Sequence, residues 1–220
     1  PKKDKNASVS ITRGIVKVKY TMTTLSKFGT RCRKMIRPLL APIVRAGCVP
    51  VFVDVEPDTY NVDASRIGCM GSSFGGAVTI YTAGVDTRLA AAISVGGWGD
   101  GVSKFRKQHP TPEAWDRFMA MLEEGKRHRL QTGKPLMVPR FDIVPIPEGL
   151  RHKVNRGSHQ MFTAETAQSM YDFRAEEMIG RIAPRPVLLM HSSVDSVTPT
   201  SQTIEMFKRA GSPTEMHLFS

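Results

Sequence analysis

Short apolar runs alternate with segments of helical period through most of the chain's second half. The run Arg66-Ile67-Gly68-Cys69-Met70 meets a Gly/Ser-rich turn, and an apolar helical pattern over Gly75–Gly84 follows it. Pro186-Val187-Leu188-Leu189-Met190 is a second buried strand, bounded by Pro and by the loop His191–Pro199. A helix is predicted over Pro199–Ala210, with Lys208 and Arg209 in its last turn and Gly211 as its cap. Glu215–Phe219 opens a last strand. Residues 101–180 lack this alternation. Thr111-Pro112-Glu113 is a helix start, and Trp115, Phe118, Met119 and Leu122 follow at i, i+3, i+4, i+7 spacing. A second helix is expected over Thr163–Arg174. Pro135, Pro139, Pro145 and Pro147 break any long element between the two.

The first 64 residues read differently. Val9–Tyr20 alternates apolar and polar residues, as one strand would, and Thr21–Lys34 has no clean period. Pro38–Gly47 reads as a short helix capped by Gly47, Val51–Val55 as a buried strand, and Glu56-Pro57-Asp58 as a turn. Residues 1–50 hold twelve Lys/Arg against one Asp, which accounts for the whole net charge of +11. Residues 51–220 hold nineteen of each sign. The basic character therefore belongs to an N-terminal arm, residues 1–37 above all. Such an arm gives non-specific, salt-dependent anion binding, and no base-reading motif accompanies it, so no specific nucleic-acid partner is expected. Cys32, Cys48 and Cys69 have no metal-ligand spacing, which argues for reduced thiols in a cytoplasmic setting. No membrane span, metal or cofactor is expected. The start at Pro1 rather than Met reads as a fragment or a processed product.

The turn between the first run and its helix is Gly71-Ser72-Ser73-Phe74-Gly75, a G-x-S-x-G between a strand and a helix. That context points to a serine raised on a sharp strand-to-helix turn as a nucleophile. Glycines at Gly71 and Gly75 would let strand and helix approach. The Phe74 N–H, in the first helical turn, would face a developing oxyanion. A serine needs a histidine to take its proton and a carboxylate to orient that histidine. Asp195 lies in the loop after a later strand, behind Ser73 in the order such a triad requires. An Asp there also serves as a turn former.

From Arg66 onward the chain resembles the α/β-hydrolase superfamily, among its esterase- and peptidase-like enzymes, on Arg66–Met70, the elbow, Gly75–Gly84, Leu89–Val95 and the loop around Asp195. The resemblance implies a partial α/β-hydrolase fold over residues 66–220. Its sheet would be mostly parallel, with about four strands, and a helical cap would be inserted at about 101–180. It implies a serine hydrolase of ester, thioester or amide bonds, acting on a small molecule through Ser73, Asp195 and a histidine. His217 alone follows Asp195, yet it sits inside the last strand, and the family's histidine falls in the loop beyond such a strand. The general base is therefore expected beyond Ser220, and a second oxyanion donor before Arg66 is missing. His191 would shape the loop, while His109, His128, His152 and His159 would lie on the cap surface. Residues 38–64 resemble a short piece of the PLP-dependent sugar aminotransferases of fold type I, without that family's lysine or phosphate-binding elements. The alternative function is a non-catalytic truncated or fused product whose arm binds anions.

Overall fold

The computed structural model describes residues 8–12, 15–19, 64–154 and 158–220. The aminotransferase-like segment and most of the basic arm lie outside them. Within the arm, the expected single strand is two: β1 (Ser8–Thr12) and β2 (Ile15–Lys19), paired antiparallel with two residues between them.

The main body follows in the order β3 (Gly68–Ser72), α1 (Phe74–Val85), β4 (Ala91–Val95), α2 (Gly101–Gln108) and α3 (Pro112–Thr132). Then come β5 (Met137–Pro139), α4 (Arg140–Ile143), β6 (Met161–Thr163), α5 (Ala164–Tyr171), β7 (Val187–Ser192), α6 (Ser201–Arg209) and β8 (Thr214–Phe219). The sheet is four-stranded and wholly parallel, in the order β3-β4-β7-β8. Each crossover steps one strand in the same direction, and right-handed crossovers of that kind place their connections on one face. One core lies there: Ala77 and Ile80 of α1 and Met206 of α6 close on Ala92, Val187 and Leu189 of the strands.

The register fixes what faces the other way. Met70, Ile93, Leu188 and Glu215 form one cross-strand row, and Ser72, Val95, Met190 and His217 form the next. Met70 is 69 % exposed, and α1 and α6 both pack on the opposite side. Parallel sheets ordinarily bury both faces. Here one face is open among the described residues.

Residues 101–171 build a second core from Phe105, Phe118, Leu122, Val138, Ile143, Ala164 and Ala167. The Thr111 hydroxyl accepts from the Ala114 N–H at 3.2 Å, as its sequence context predicts, and Gly133 ends α3 in the left-handed conformation. Thr163 caps α5 through the Thr166 N–H at 3.2 Å. That helix stops at Tyr171 rather than Arg174, because the next residues bond to the α2 entrance instead. The Phe173 carbonyl accepts from the Gly101 N–H at 2.9 Å, and Arg174 pairs with Asp100 at 2.8 Å. The small β5–β6 ribbon has no sequence signal of its own, since three residues are too few to show a period.

Arg185 closes the helix layer. Its guanidinium donates to the carbonyls of Ala83 (2.7 Å) in the last turn of α1 and of Asp86 (3.0 Å) and Leu89 (3.0 Å) in the loop that follows. Arg185→Ala is expected to cost about 2 kcal/mol in urea unfolding, the range for hydrogen bonds to a charged group. Arg185→Lys should recover only part of that, because an ammonium cannot span three carbonyls.

Candidate active site at the carboxyl edge of the sheet

Ser73 stands between β3 and α1 with φ 55° and ψ −123°, and it is the one non-glycine residue of positive φ among those described. Such a conformation costs roughly 1–3 kcal/mol and persists only where the surroundings over-determine it. Two things hold it. The Ser73 N–H donates to the Val95 carbonyl at 2.8 Å, across to the end of β4. A Cβ on Gly71 would fall on the Gly75 carbonyl, so only glycine lets α1 turn back over β3 there. The second close contact comes from Gly76, whose added Cβ would meet the Ser94 hydroxyl at 2.7 Å. At Gly75 nothing lies within 4 Å. The expectation that Gly75 is sterically required is thus corrected. Its carbonyl is the obstacle, and its neighbour makes the approach.

The Ser73 side chain is exposed. Phe74 is the first residue of α1, so its N–H has no carbonyl one turn back inside the helix. Its ring stacks on Trp98 (5.2 Å, 7°) and meets Phe173 edge-on at 5.4 Å. The loop carrying Trp98 is pinned from α6. Gln202 Oε1 accepts from the N–H groups of Gly99 (3.0 Å) and Asp100 (2.9 Å), and Thr203 Oγ1 lies 3.3 Å from the Gly97 carbonyl.

Asp195 lies beyond the carboxyl end of β7, at the same sheet edge as Ser73 and two strands across. Two inter-strand spacings amount to about 10 Å. Its Oδ1 accepts from the N–H groups of Val197 and Thr198, both at 2.7 Å, so the turn-forming role is filled. Oδ2 faces His191 Nε2 at 3.4 Å, and the side chain keeps 25 % of its surface exposed. His191 is fully buried, with Nδ1 2.6 Å from Thr203 Oγ1 and Nε2 3.0 Å from the Thr198 carbonyl. It shapes the loop and offers no nitrogen to solvent.

His217 lies elsewhere. It pairs with Met190 inside β8, in the same cross-strand row as Ser72 and three strands away, about 14 Å by strand spacing. Its ring is 63 % exposed on the open face, with Nε2 3.4 Å from Glu215. All six histidines fall among the described residues, and none of them is hydrogen-bonded to the Ser73 side chain; His109, His191 and His217 are engaged with Phe105, Thr198 and Glu215. His109 was expected at the surface and is buried instead, its Nδ1 3.0 Å from the Phe105 carbonyl and its ring 4.6 Å from that of Phe118. Burial holds its pKa below the usual value. Cys69, beneath the elbow, is pushed up to about 11 by burial and is inert as a nucleophile.

One charged residue gave no sign of itself in the sequence. Lys104 lies between Ser103 and Phe105, just before Arg106 and Lys107. In the structure it is 2 % exposed. Its Nζ lies 3.6 Å from the Phe105 ring centre and 5.3 Å from that of Trp98, at the seam between the two cores. Burial lowers its pKa from 10.5 to about 7.

No family model matches the chain. A polyketide transferase of Penicillium sp, GrgF, is 23 % identical over 167 residues, covering 71 % of this chain and 54 % of the relative. Its crystal structure, described as an α/β hydrolase, superposes with a TM-score of 0.55 at 22 % identity over 71 % of this chain and 55 % of that one. The quorum-quenching protein AidA of Acinetobacter baumannii is 27 % identical over 157 residues, covering 65 % of this chain and 50 % of the relative. A monoacylglycerol lipase of Paleococcus ferrophilus superposes with a TM-score of 0.51 at 19 % identity, over 70 % of this chain and 58 % of the other. The fold is therefore that of the α/β hydrolases. The chain spans about half the length of the curated relatives it matches.

Two outcomes test this geometry. Gly71→Ala should destabilise the protein by about 2 kcal/mol or more in urea unfolding, from forced overpacking. Gly75→Ala, with open space at its Cβ, should be neutral or stabilising by up to about 1 kcal/mol. The second outcome concerns pH. Between about 7 and 10.5 the unfolded Lys104 binds a proton that the folded one has lost. Unfolding free energy should therefore rise with pH across that window relative to Lys104→Met, and the difference should be flat below it. Paired urea titrations at about pH 6.5, 8 and 9.5, one below that window and two within it, check the sign.

Proposed function

We propose that these residues form the nucleophile-bearing part of a serine hydrolase acting on ester, thioester or amide bonds of small molecules. The observation that carries the reading is the strained, exposed Ser73 at a strand-to-helix turn. Strain of this kind belongs to sites where it has a use. In the reaction the Ser73 hydroxyl oxygen attacks the substrate carbonyl and its proton passes to an imidazole. The negative charge that develops on the carbonyl oxygen is met by the Phe74 N–H. The imidazolium returns its proton to the leaving group, and water then repeats the sequence on the acyl-serine. Asp195 would orient and stabilise the imidazolium. Its half-buried carboxylate is fixed by two backbone N–H groups, so it needs no reorganisation to do so. A polyketide transferase and a monoacylglycerol lipase among the similar proteins agree with acyl chemistry at such a serine.

The imidazole comes from sequence other than these 220 residues, on this proposal, because none of their six histidines is hydrogen-bonded to Ser73 and His217, the one that follows Asp195, lies within β8. Loss of one triad member removes most of the rate enhancement, so turnover by the 220 residues alone should be at least about a thousandfold below that of the whole enzyme. Added imidazole should replace the missing base. Labelling by a fluorophosphonate should accelerate with imidazole in the parent protein and disappear in Ser73→Ala. Labelling that survives Ser73→Ala overturns the assignment of the nucleophile. Fast ester turnover without imidazole, lost in His217→Ala, would instead make His217 the base.

A further inference from the structure

Lys104 has no counter-charge. Asp100 is taken by Arg174 and by the Ser103 N–H, Glu176 by Arg209, and Asp195 by its own loop and His191. Among the described residues no carboxylate is paired with the Lys104 ammonium, and the titratable neighbour it acts on, His109, is a base. An unpaired cation taken out of water is costly, and buried lysines are ordinarily paired. Replacing it by an apolar residue of the same shape would relieve that cost, so its presence calls for a use. The two aromatic faces offset part of the penalty. They leave the ammonium's strongest interaction, that with an anion, open.

Its position says where that anion would lie. Trp98, whose ring centre is 5.3 Å from Nζ, also stacks on Phe74, the residue next to Ser73. One indole thus separates the ammonium from the ring of the residue whose N–H faces the acyl centre. We propose that Lys104 is the anchor of an acid-binding subsite, which takes a carboxylate on the substrate while Trp98 and Phe105 flank its carbon chain. A single buried cation neutralises a monoanion, whereas a phosphate dianion would leave a net negative charge in an apolar seam, so a carboxylate is the group it fits. The substrates would be esters or thioesters that also bear a free carboxylate. This rests on the hydrolase reading of Ser73 for its chemistry, though not for binding.

The test uses Ser73→Ala protein, which cannot cleave the probe, with lysine labelled by carbon-13 at Cε. Monomethyl glutarate should bind about tenfold or more tightly than dimethyl glutarate, which lacks the carboxylate. At saturation the Lys104 Cε titration should move up by about one pH unit or more, since a bound carboxylate favours the ammonium. Adding Lys104→Met should weaken the monoester about tenfold and leave the diester unchanged. Equal monoester affinity with and without Lys104→Met, no binding to either, or an unmoved Lys104 titration overturns the subsite. The Cε titration needs no Lys104 variant, so a folding defect in Lys104→Met cannot hide the answer. If imidazole-dependent labelling of Ser73 fails while the monoester still moves Lys104, the hydrolase reading falls and the subsite stands. Labelling without monoester binding does the reverse.

Discussion

The hydrogen bond from the Ser73 N–H to the Val95 carbonyl is the constraint on which the site depends. It ties the turn after β3 to the end of β4, and it compels Ser73 into a region of backbone space that costs energy. The turn can exist only because α1 passes over β3 at a separation that excludes a Cβ at Gly71, and over β4 at one that excludes a Cβ at Gly76. Relax either contact and a serine has no reason to keep φ at 55°. The exposed hydroxyl is thus a product of backbone packing two and three residues away.

The parallel register then distributes everything else. Because every strand ends at the same edge, loops after β3, β4 and β7 converge there, and the order β3-β4-β7-β8 converts sequence position into lateral distance. Asp195, two strands across, is within span of a bridging imidazole. His217 is three strands across and inside its strand, so its ring stands on a sheet face and does not reach the edge. Chain order alone left His217 as the candidate base, and strand order sets it three strands from the Ser73 turn, beside Met190.

Much of this was legible before the structure. The G-x-S-x-G between an apolar run and a helical run gave the turn. Thr111 and Thr163 signalled their helices, because capping is a local hydrogen bond. What sequence could not supply was pairing between distant residues. The end of α5 depends on Gly101 and Asp100, about seventy residues earlier in the chain by residue number. Gly75 and Gly76 read alike, and only the approach of β4 distinguishes them. His109 was read as a surface residue because a histidine in a stretch rich in charge gives no local sign of burial. A helix of eight residues packed from both sides buries more of its circumference than its pattern announces.

The burial of Lys104 follows from where α2 is placed. That helix leaves the sheet edge directly after the Trp98 loop, and both cores close on it. Trp98 belongs to the core beneath, and Phe105, which stacks on Phe118 at 4.9 Å, to the core above. A residue on the α2 face between those two rings is almost wholly enclosed, and its head group lies against both of them. An aliphatic side chain would have filled that place without electrostatic cost. The amine instead adds charge to a seam that runs by way of Trp98 to Phe74, the residue after Ser73. Rigid backbone contacts fix the Ser73 turn, whereas this seam, with its aromatic walls and single cation, is set by side-chain packing between the two cores.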